Sequence, residues 1–245
     1  MRRFGLIGKT LKHSFSARYF AEKFERESLS HECRYDLFEL PEIECVKELM
    51  QTPGLVGFNV TIPYKQQIIP YLDGLSREAE AIGAVNCVKR EVDGRFVGYN
   101  TDVEGVRVSL DKLLGGVKVG RALVLGSGGA AQAVRYVLAE RGIAYSIVSR
   151  TKDGGDLTYD DLSAEVMQDN QLIINCSPVG MYPNVDNAPA IPYAMLSGSH
   201  YLFDLVYNPI QTRFMELGAQ QGASALSGID MLYAQAEAAW QIWNE

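Results

Sequence analysis

Short apolar runs alternate along the chain with longer segments in which apolar residues recur at helical spacing. The runs at residues 4–7, 55–61 and 122–125 have the length and branched side chains of buried strands. Between such runs, apolar positions three and four residues apart predict amphipathic helices. Strands that alternate with helices in this way predict the α/β class.

The first hundred residues form one α/β unit. Strands are predicted at residues 4–7, 34–40 and 55–61, followed by a hairpin of residues 83–89 and 95–99 that turns at Asp93-Gly94. Helices are predicted at residues 17–28, 41–51 and 76–82. Pro63 is expected to open a further short helix at its first position, where a missing N–H costs nothing.

A second α/β unit follows a helix that residues 100–102 cap and Gly115-Gly116 ends. Its strands are predicted at residues 122–126, 144–148, 171–175 and 200–205, and near 223–225. A last helix carries the apolar stripe Ile229, Leu232, Ala236, Trp240 (or Ala239) and Trp243. This helix is expected to cross back and bury its aromatic face on the first unit. The predicted domains are therefore residues 1–101 with 229–245, and residues 102–228, with a cleft between them.

The turn after the strand at 122–125 carries the dinucleotide fingerprint G-x-G-x-x-G/A. Gly126, Gly128 and Ala131 fill its three small positions between a strand and a helix. The first glycine allows the tight turn, the second allows a pyrophosphate to approach the backbone, and Ala131 allows close packing of the helix. Because glycine turns often join a strand to a helix without any ligand, the fingerprint alone leaves both interpretations open.

The next strand favours the functional interpretation. It ends in Arg150-Thr151-Lys152, and Arg150 lies 24 residues beyond Gly126, near the position that reads the ribose. An acid there would bind the 2′-hydroxyl of NAD, whereas arginine matches a 2′-phosphate. The pattern therefore predicts NADP, and the alternative is a solvated basic strand end.

Lys65 and Asp102 are the candidates for proton transfer. Lys65 is expected in the first turn of the helix that Thr61 caps. A cation at this position interacts unfavourably with the positive end of the helix dipole, at a cost of about 0.3–1 kcal/mol. Asp102 begins a helix where the chain crosses between the two units. The alternatives are a surface lysine and an ordinary helix cap. A lysine and an aspartate beside a nicotinamide would handle the hydroxyl proton of a carbonyl/alcohol redox reaction.

Further polar side chains follow predicted strands, at the edge where open α/β sheets bind ligands. Taken singly, each is a turn or cap residue as readily as a ligand. Amides and hydroxyls with few charges suit a small polyhydroxylated molecule. The candidates are Ser14, Ser16, Asn59, Thr61, Asn86, the segments 175–181 and 204–209, and Gln235 on the last helix.

Composition narrows the classes of partner. The net charge of −7 argues against a general nucleic-acid or acidic-membrane binder, and no apolar run approaches the ~20 residues of a membrane span. The basic start of the chain is followed by a run that breaks at Gly8-Lys9, so no signal peptide is expected. Four cysteines without a C-x-x-C pair and three scattered histidines indicate no metal site and a reduced, cytoplasmic protein.

The motifs together resemble the shikimate dehydrogenase family over essentially the full length. They include Asn59-Val-Thr-Ile-Pro-Tyr-Lys65, Gly83-Ala-Val-Asn86 and Gly98-Tyr-Asn-Thr-Asp102. Further matching blocks lie at residues 5–8, 13–16, 126–130, 149–151, 175–181, 204–209 and 228–235. The resemblance implies an N-terminal substrate domain and a Rossmann-type NADP domain. It also implies NADPH-dependent reduction of 3-dehydroshikimate to shikimate in aromatic amino-acid (chorismate) biosynthesis.

The resemblance also assigns roles to residues. Lys65 would transfer the proton with Asp102 as its partner, and Ser14 and Ser16 would hold the substrate carboxylate. Other substrate contacts would come from Asn59, Thr61, Asn86, Asp102, Tyr207 and Gln235. The cofactor would be lined by Gly126, Ser127, Gly128, Gly129, Ala130, Ser149, Arg150, Thr151, Lys152, Leu205 and Gly228. Where family members usually carry another basic residue near position 154, this chain has Gly154.

Two alternatives stay open. One is the quinate/shikimate branch of the family, which tolerates a different substrate and often uses NAD. The other is a non-catalytic NADP-sensing regulator on the same fold, against which Lys65 and Asp102 argue. The expected assembly is a monomer or a homodimer.

Overall fold

A computed structural model describes residues 1–11 and 14–245, and in it the chain divides into two compact units. The first unit comprises Met1–Thr101 and Ala236–Glu245, and the second comprises Asp102–Gln235. Lys12 and His13 lie outside the described residues, so the 13–16 block is described only from Ser14 onward. Over the described ranges, no helix has the length and apolarity needed to cross a membrane.

The first unit is built on a mixed six-stranded sheet. Its strands are β1 (Arg2–Gly8), β2 (Cys33–Glu39), β3 (Gly57–Val60), β4 (Gly74–Leu75), β5 (Cys87–Arg90) and β6 (Phe96–Tyr99). They lie in the order β2-β1-β3-β5-β6-β4. The pairs β1–β2, β1–β3 and β4–β6 are parallel, and β3–β5 and β5–β6 are antiparallel. The predicted hairpin is thus confirmed, whereas the two-residue β4 was too short for its pattern to indicate a strand.

Helices cover both faces of this sheet. They are α1 (Phe15–Arg26), α2 (Val46–Leu49), α3 (Tyr64–Gln67) and α4 (Arg77–Ile82). One apolar cluster joins Val46, Phe58 and Ile68 on the face of α2 and α3. A second cluster joins the aromatic residues of α1 to Phe4 of β1.

The end of the last helix, α9 (Ile229–Asn244), belongs to the second of these clusters. Ala236, Ala239 and Trp243 are buried there, and the Trp243 indole N–H donates to the Val88 carbonyl oxygen at 3.0 Å. The ring centroids of Phe4 and Trp243 lie 4.9 Å apart. Residues 236–245 therefore pack as part of the first unit, whereas the sequence pattern assigns all of residues 229–245 to it.

The second unit contains a wholly parallel six-stranded sheet. Its strands are β7 (Arg121–Leu125), β8 (Ala144–Ser149), β9 (Leu157–Thr158), β10 (Leu172–Asn175), β11 (Tyr201–Asp204) and β12 (Ser224–Leu226). Their order is β12-β11-β10-β7-β8-β9, which is the 3-2-1-4-5-6 order of the Rossmann fold read from the other edge. The predicted α/β class with a Rossmann-type sheet is confirmed.

Helices of this unit are α5 (Asp102–Leu114), α6 (Gly129–Glu140), α7 (Ala164–Asp169), α8 (Arg213–Gln220) and the start of α9. They cover the strands because β7, β10 and β11 are apolar on both faces, with Leu123, Ile173 and Leu202 fully buried. The connection from β8 to β9 is an exception. It consists of residues 150–156 and contains one 3-10 turn, Lys152–Gly154, instead of an α-helix.

Three predicted helix starts are wrong in detail. Helix α1 begins two residues before the predicted position, because Ser14 rather than Ser16 is its N-cap and accepts the Ala17 N–H. The predicted helix at 41–51 is a 3-10 turn, Ile43–Cys45, followed by α2, because its first turn closes with the tighter bond from Cys45 N–H to Glu42.

The third correction concerns the start of α3. Pro63 precedes the helix and is not its first residue, and the Thr61 side chain does not cap it. The chain closes a turn at this point, in which the Tyr64 N–H donates to the Thr61 carbonyl oxygen at 2.9 Å. Pro63 therefore takes a turn conformation, with φ −94° and ψ 11°.

Candidate active site

The second unit has a cleft of about 830 Å³ at the carboxyl ends of its strands. Its lining includes residues that directly follow β7 and β10, neighbouring strands between which the strand order reverses. Open parallel sheets bind ligands at this point. Six of the residues predicted to bind the cofactor line the cleft: Gly126, Ser127, Gly128, Ser149, Arg150 and Thr151.

The glycine turn of this cleft fits a pyrophosphate. Gly126 has φ +101°, a conformation that glycine adopts without strain. Gly128 is the N-cap of α6 and brings no capping side chain, and the first turn of α6 carries no acid. A Cβ atom added at Gly128 or Gly129 would meet open space. The backbone N–H groups of this turn and the positive end of the helix dipole therefore border a space in which phosphate groups can bind.

The turn after β8 places a guanidinium in the same cleft. The Ser149 hydroxyl accepts the Thr151 N–H at 3.3 Å and also bonds the Thr151 carbonyl oxygen, so it shapes the turn that carries Arg150. The exposed Arg150 lines the cleft. Arginine presents several N–H donors in a fixed plane, which suits the 2′-phosphate of NADP.

Five residues of the predicted cofactor set do not line this cleft: Gly129, Ala130, Lys152, Leu205 and Gly228. Leu205 and Gly228 instead lie against each other beyond β11 and β12. The Gly228 N–H donates to the Val206 carbonyl oxygen at 3.0 Å, and any side chain at Gly228 would collide with the Leu205 carbonyl oxygen. They form a second, separate part of the predicted cofactor region.

The cleft also contains residues that no local pattern indicates. Tyr159 and residues 188–190 belong to its wall, although neither segment carries a motif or stands at a predicted strand end. Cys176 to Val179 line it as well, and these do follow a predicted strand. The position of Tyr159 depends on strand β9, which has only two residues and no recognisable period.

A buried carboxylate fixes the loop after β11. Asp204 accepts hydrogen bonds from Thr212 Oγ1 at 2.6 Å, from Asn175 Nδ2 at 2.9 Å and from the Val206 N–H at 3.0 Å. Burial raises the pKa of Asp204, and these hydrogen bonds offset part of the effect. The loop so held carries Tyr207, a predicted substrate contact, which is 38% exposed.

In the first unit, Ser14 and Ser16 lie at the N-terminus of α1. The Ser14 hydroxyl uses a lone pair to accept the Ala17 N–H at 3.3 Å, which leaves its proton for another acceptor. The first turn of α1 contains no acid. The helix dipole therefore adds partial positive charge at the position predicted to hold a carboxylate.

A buried polar network runs from β2 to the end of β3. The Tyr35 hydroxyl donates to Asn59 Oδ1 at 2.8 Å, and Asn59 Nδ2 donates to the Asn86 carbonyl oxygen at 3.2 Å. Asn59 is only 5% exposed, so little of its side chain is open to a ligand. Thr61 follows β3 and is half-buried.

Lys65 lies in the four-residue helix α3, and its side chain is half-buried. Its carbonyl oxygen accepts the Val85 N–H at 2.7 Å, which ties α3 to the segment that leads into β5. The next residue after Val85 is Asn86. The backbone of Lys65 is thereby fixed to the same segment as a second predicted substrate contact.

Asn86 in turn holds the residue that precedes Asp102. Its Oδ1 accepts the Thr101 N–H at 2.7 Å, and its Nδ2 donates to Thr101 Oγ1 at 3.0 Å. Both residues are buried, with 3% exposure each. Asp102, the first residue of α5, follows Thr101 directly and is half-buried. Gln235, on α9, is half-buried and donates to the Leu232 carbonyl oxygen at 3.0 Å.

The two units thus offer different chemistry. The second provides a cleft with a glycine turn, a helix N-terminus and a guanidinium, a set that binds a phosphorylated dinucleotide. The first provides two hydroxyls at a helix N-terminus, buried amides and a lysine, which suit a small hydroxylated acid and a proton transfer. Across the described ranges, no three His, Cys, Asp or Glu side chains are grouped so that they could hold a metal ion.

Comparison with known proteins agrees with this chemistry. Residues 6–88 match the family model described as shikimate dehydrogenase substrate binding domain. The NADP⁺-dependent shikimate dehydrogenase of Clostridium beijerinckii is 39% identical over 100% of this chain and 93% of its own length. That of Methanocaldococcus jannaschii is 35% identical over 98% of this chain and 90% of its own length.

A solved structure extends the similarity to the fold. The shikimate 5-dehydrogenase of Thermus thermophilus, crystallised with NADP(H) and shikimate, superimposes with a TM-score of 0.85 at 32% identity, over 99% of this chain and 93% of that one. Motifs, fold and overall similarity lead to one conclusion. The chain belongs to the shikimate dehydrogenase family.

Proposed function

We propose that this enzyme catalyses the reversible, NADPH-dependent reduction of 3-dehydroshikimate to shikimate in aromatic amino-acid biosynthesis. The observation that carries the proposal is the cleft of the second unit, where the bare Gly126–Gly128 turn and Arg150 line one cavity. Relatives with 35–39% identity are NADP⁺-dependent shikimate dehydrogenases, which supports the same cofactor here.

When bound, NADPH supplies the hydride that reduces the substrate carbonyl. The turn of Gly126, Ser127, Gly128, Gly129 and Ala130 would hold the pyrophosphate. Arg150 would bind the 2′-phosphate, with Ser149 shaping its turn and Thr151 and Lys152 nearby in the chain. Leu205 and Gly228 would border the nicotinamide end, since they follow the strands on the other side of the reversal point.

The remaining steps belong to the protein's own side chains. Lys65 would donate the proton that the carbonyl oxygen gains during reduction and would accept it in the reverse direction. Asp102 would act with Lys65 and contact the reacting hydroxyl. Ser14 and Ser16, at the positive end of α1, would bind the carboxylate of the substrate.

The other predicted substrate residues divide into two groups. Thr61, Asn86, Tyr207 and Gln235 would contact the ring hydroxyls through hydroxyl and amide groups. Asn59 would act through Asn86, because its amide is buried and bonded to Tyr35 and to the Asn86 carbonyl oxygen. Selectivity for a hydroxylated ring follows, since an analogue that lacks a hydroxyl leaves a polar group of the site without a partner.

A steady-state assay tests the proposal. The purified enzyme is given shikimate or quinate with NADP⁺ or NAD⁺, and the absorbance of the reduced nicotinamide is followed. We expect kcat/KM to be highest for shikimate with NADP⁺. Higher values for quinate with NAD⁺ would assign the enzyme to the quinate branch, and no turnover with saturating ligands would favour a non-catalytic sensor.

We further propose that the enzyme is cytoplasmic and that it is a monomer or a homodimer. Light scattering measures its oligomeric state.

A further inference from the structure

The segment between β8 and β9 is unusually short for its topology. Neighbouring parallel strands are normally joined by a crossover of at least about 10–12 residues that includes a helix. Here β8 and β9 are parallel neighbours, but residues 150–156 are the whole connection. Residues 150–156, which the structure describes throughout, therefore contain no crossover helix beside the turn that carries Arg150, and another element must form the wall there.

That wall is formed by Tyr159. In the register of β8 and β9, Ser149 pairs with Thr158, so the next residue after Thr158 lies beside the turn of Arg150. Tyr159 and Arg150 both line the cleft. Tyr159 is half-buried and packs against the apolar cluster of this unit, which includes Leu162 and Ile173.

Tyr159 is also held firmly. It is the first residue of a 3-10 turn, Tyr159–Asp161, which a capping box closes. Asp161 Oδ2 accepts both the Thr158 N–H and the Thr158 hydroxyl at 2.8 Å. A ring fixed by packing and at its backbone by a cap is pre-organised to receive a flat ligand, because it loses little freedom on binding.

The position of Tyr159 defines which part of the cofactor it meets. If Arg150 binds the 2′-phosphate, the adenine on the same ribose must lie beside Arg150. An aromatic ring contacts a nucleobase through its apolar surface without regard to hydrogen-bonding groups, and such contacts are worth about 1–3 kcal/mol each.

We propose that Tyr159 is the adenine-contacting residue of this enzyme, in the place that a crossover helix would otherwise border. The inference rests on the proposed function, since it assumes that the cleft binds NADP. Tyr159 and Arg150 then have separable tasks. Tyr159 contributes affinity for the adenine that NADP and NAD share, whereas Arg150 distinguishes between them.

The test is the equilibrium dissociation constant of NADP⁺ and NAD⁺ for the whole enzyme and three variants. Tyr159→Leu keeps an apolar side chain but removes the ring, and we expect it to weaken the binding of both cofactors by a similar factor, about 5- to 150-fold. Tyr159→Phe keeps the ring and should bind like the wild type. Nicotinamide mononucleotide, which lacks adenine, should bind wild type and Tyr159→Leu equally.

The third variant, Leu157→Ala, controls for loosening of the core. Leu157 packs against the same cluster but does not line the cleft, so its truncation should leave both dissociation constants unchanged. Equal losses in Leu157→Ala and Tyr159→Leu, or none in Tyr159→Leu, would overturn the inference. A wild type that fails to bind NADP⁺ would overturn the proposed function itself, a result that the variants do not influence.

Discussion

The side chain of Asn86 holds both the backbone and the side chain of Thr101. Its Oδ1 accepts the Thr101 N–H at 2.7 Å, while its Nδ2 donates to Thr101 Oγ1 at 3.0 Å. Thr101 is 3% exposed and has no surface with which to bind a substrate, yet its neighbour in the chain is Asp102. The bond therefore fixes the backbone from which a predicted active-site carboxylate extends.

Removing the Thr101 hydroxyl should impair turnover, although the buried Thr101 is not itself a predicted substrate contact. Thr101→Val keeps the shape but leaves the buried Asn86 Nδ2 without this partner, at a cost of about 1–3 kcal/mol. We expect kcat to fall by about tenfold or more, because even a small displacement of a catalytic group strongly lowers the rate of the reaction. Thr101→Ser retains the hydroxyl and is the control. Wild-type kcat in Thr101→Val, measured with both substrates saturating, would show that this bond does not position Asp102.

Lys65→Ala should lower kcat by a factor on the order of 10² to 10⁴, the usual contribution of general acid–base catalysis, with a smaller change in KM. The residue lies in α3, whose backbone is fixed to Val85, so truncation of the side chain should leave the fold intact. The matched control is Lys118→Ala, since Lys118 is an exposed lysine of the second unit. A wild-type kcat in Lys65→Ala would refute the assigned role.

Arg150→Ala should change the choice of cofactor. Hydrogen bonds to a charged group contribute about 1.5–3 kcal/mol, so kcat/KM with NADP⁺ should fall about 10- to 150-fold, while the value with NAD⁺ stays close to that of the wild type. Lys152→Ala should have a smaller effect, because Lys152 does not line the cleft. Equal losses with NADP⁺ and NAD⁺ in Arg150→Ala would mean that the arginine does not read the 2′-phosphate.

An ion pair should make the docking of α9 sensitive to acid. Lys23 is 4% exposed, and its Nζ lies 2.8 Å from Glu237 Oε2. Burial of Glu237 disfavours its charge, but the hydrogen bonds from Lys23 and Tyr19 outweigh that effect and hold the pKa of Glu237 below its ordinary value of 4.5. The stabilisation is therefore present above pH 4.5 and is lost as the pH falls through the lowered pKa.

Thermal unfolding of Glu237→Gln measures this contribution. We expect a lower Tm than the wild type at pH 7, by about 2–4 °C per kcal/mol lost, and a difference that shrinks as the pH falls below 4.5. The control is Glu22→Gln. Glu22 is an exposed partner of Arg18, and both lie on α1, the helix that also carries Lys23. This substitution should change Tm little at any pH. A difference in Tm between Glu237→Gln and wild type that stays constant as the pH falls below 4.5 would contradict the ion-pair assignment.

Much of the fold follows from local sequence. The apolar runs of β7 and β10 are typical of strands in the middle of a parallel sheet. The fingerprint turn at Gly126 lies directly between a strand and a helix. The stripe of Ala236, Ala239 and Trp243 likewise predicts a helix buried on one side. In each case the signal lies within a few residues, where backbone sterics and side-chain periodicity act.

Errors occur where two local signals compete. Ser14 and Ser16 are equally good cap residues by type, and only the observed bond to the Ala17 N–H selects the first. Pro63 is compatible with a helix start and with a turn, and the bond between Tyr64 and Thr61 decides for the turn. Strand β9 has two residues, too few to establish a period.

The amino-acid sequence by itself determined the α/β class, the Rossmann-type unit, the family and the residue types available for chemistry, because these depend on short-range patterns and motifs. Only the tertiary structure decided that Asn86 holds Thr101, that Asn59 is buried between Tyr35 and Asn86, and that Tyr159 borders the cleft beside Arg150. Each of these depends on which strands pair and in which register. Such pairing is set by the packing of the whole sheet, which no local segment encodes.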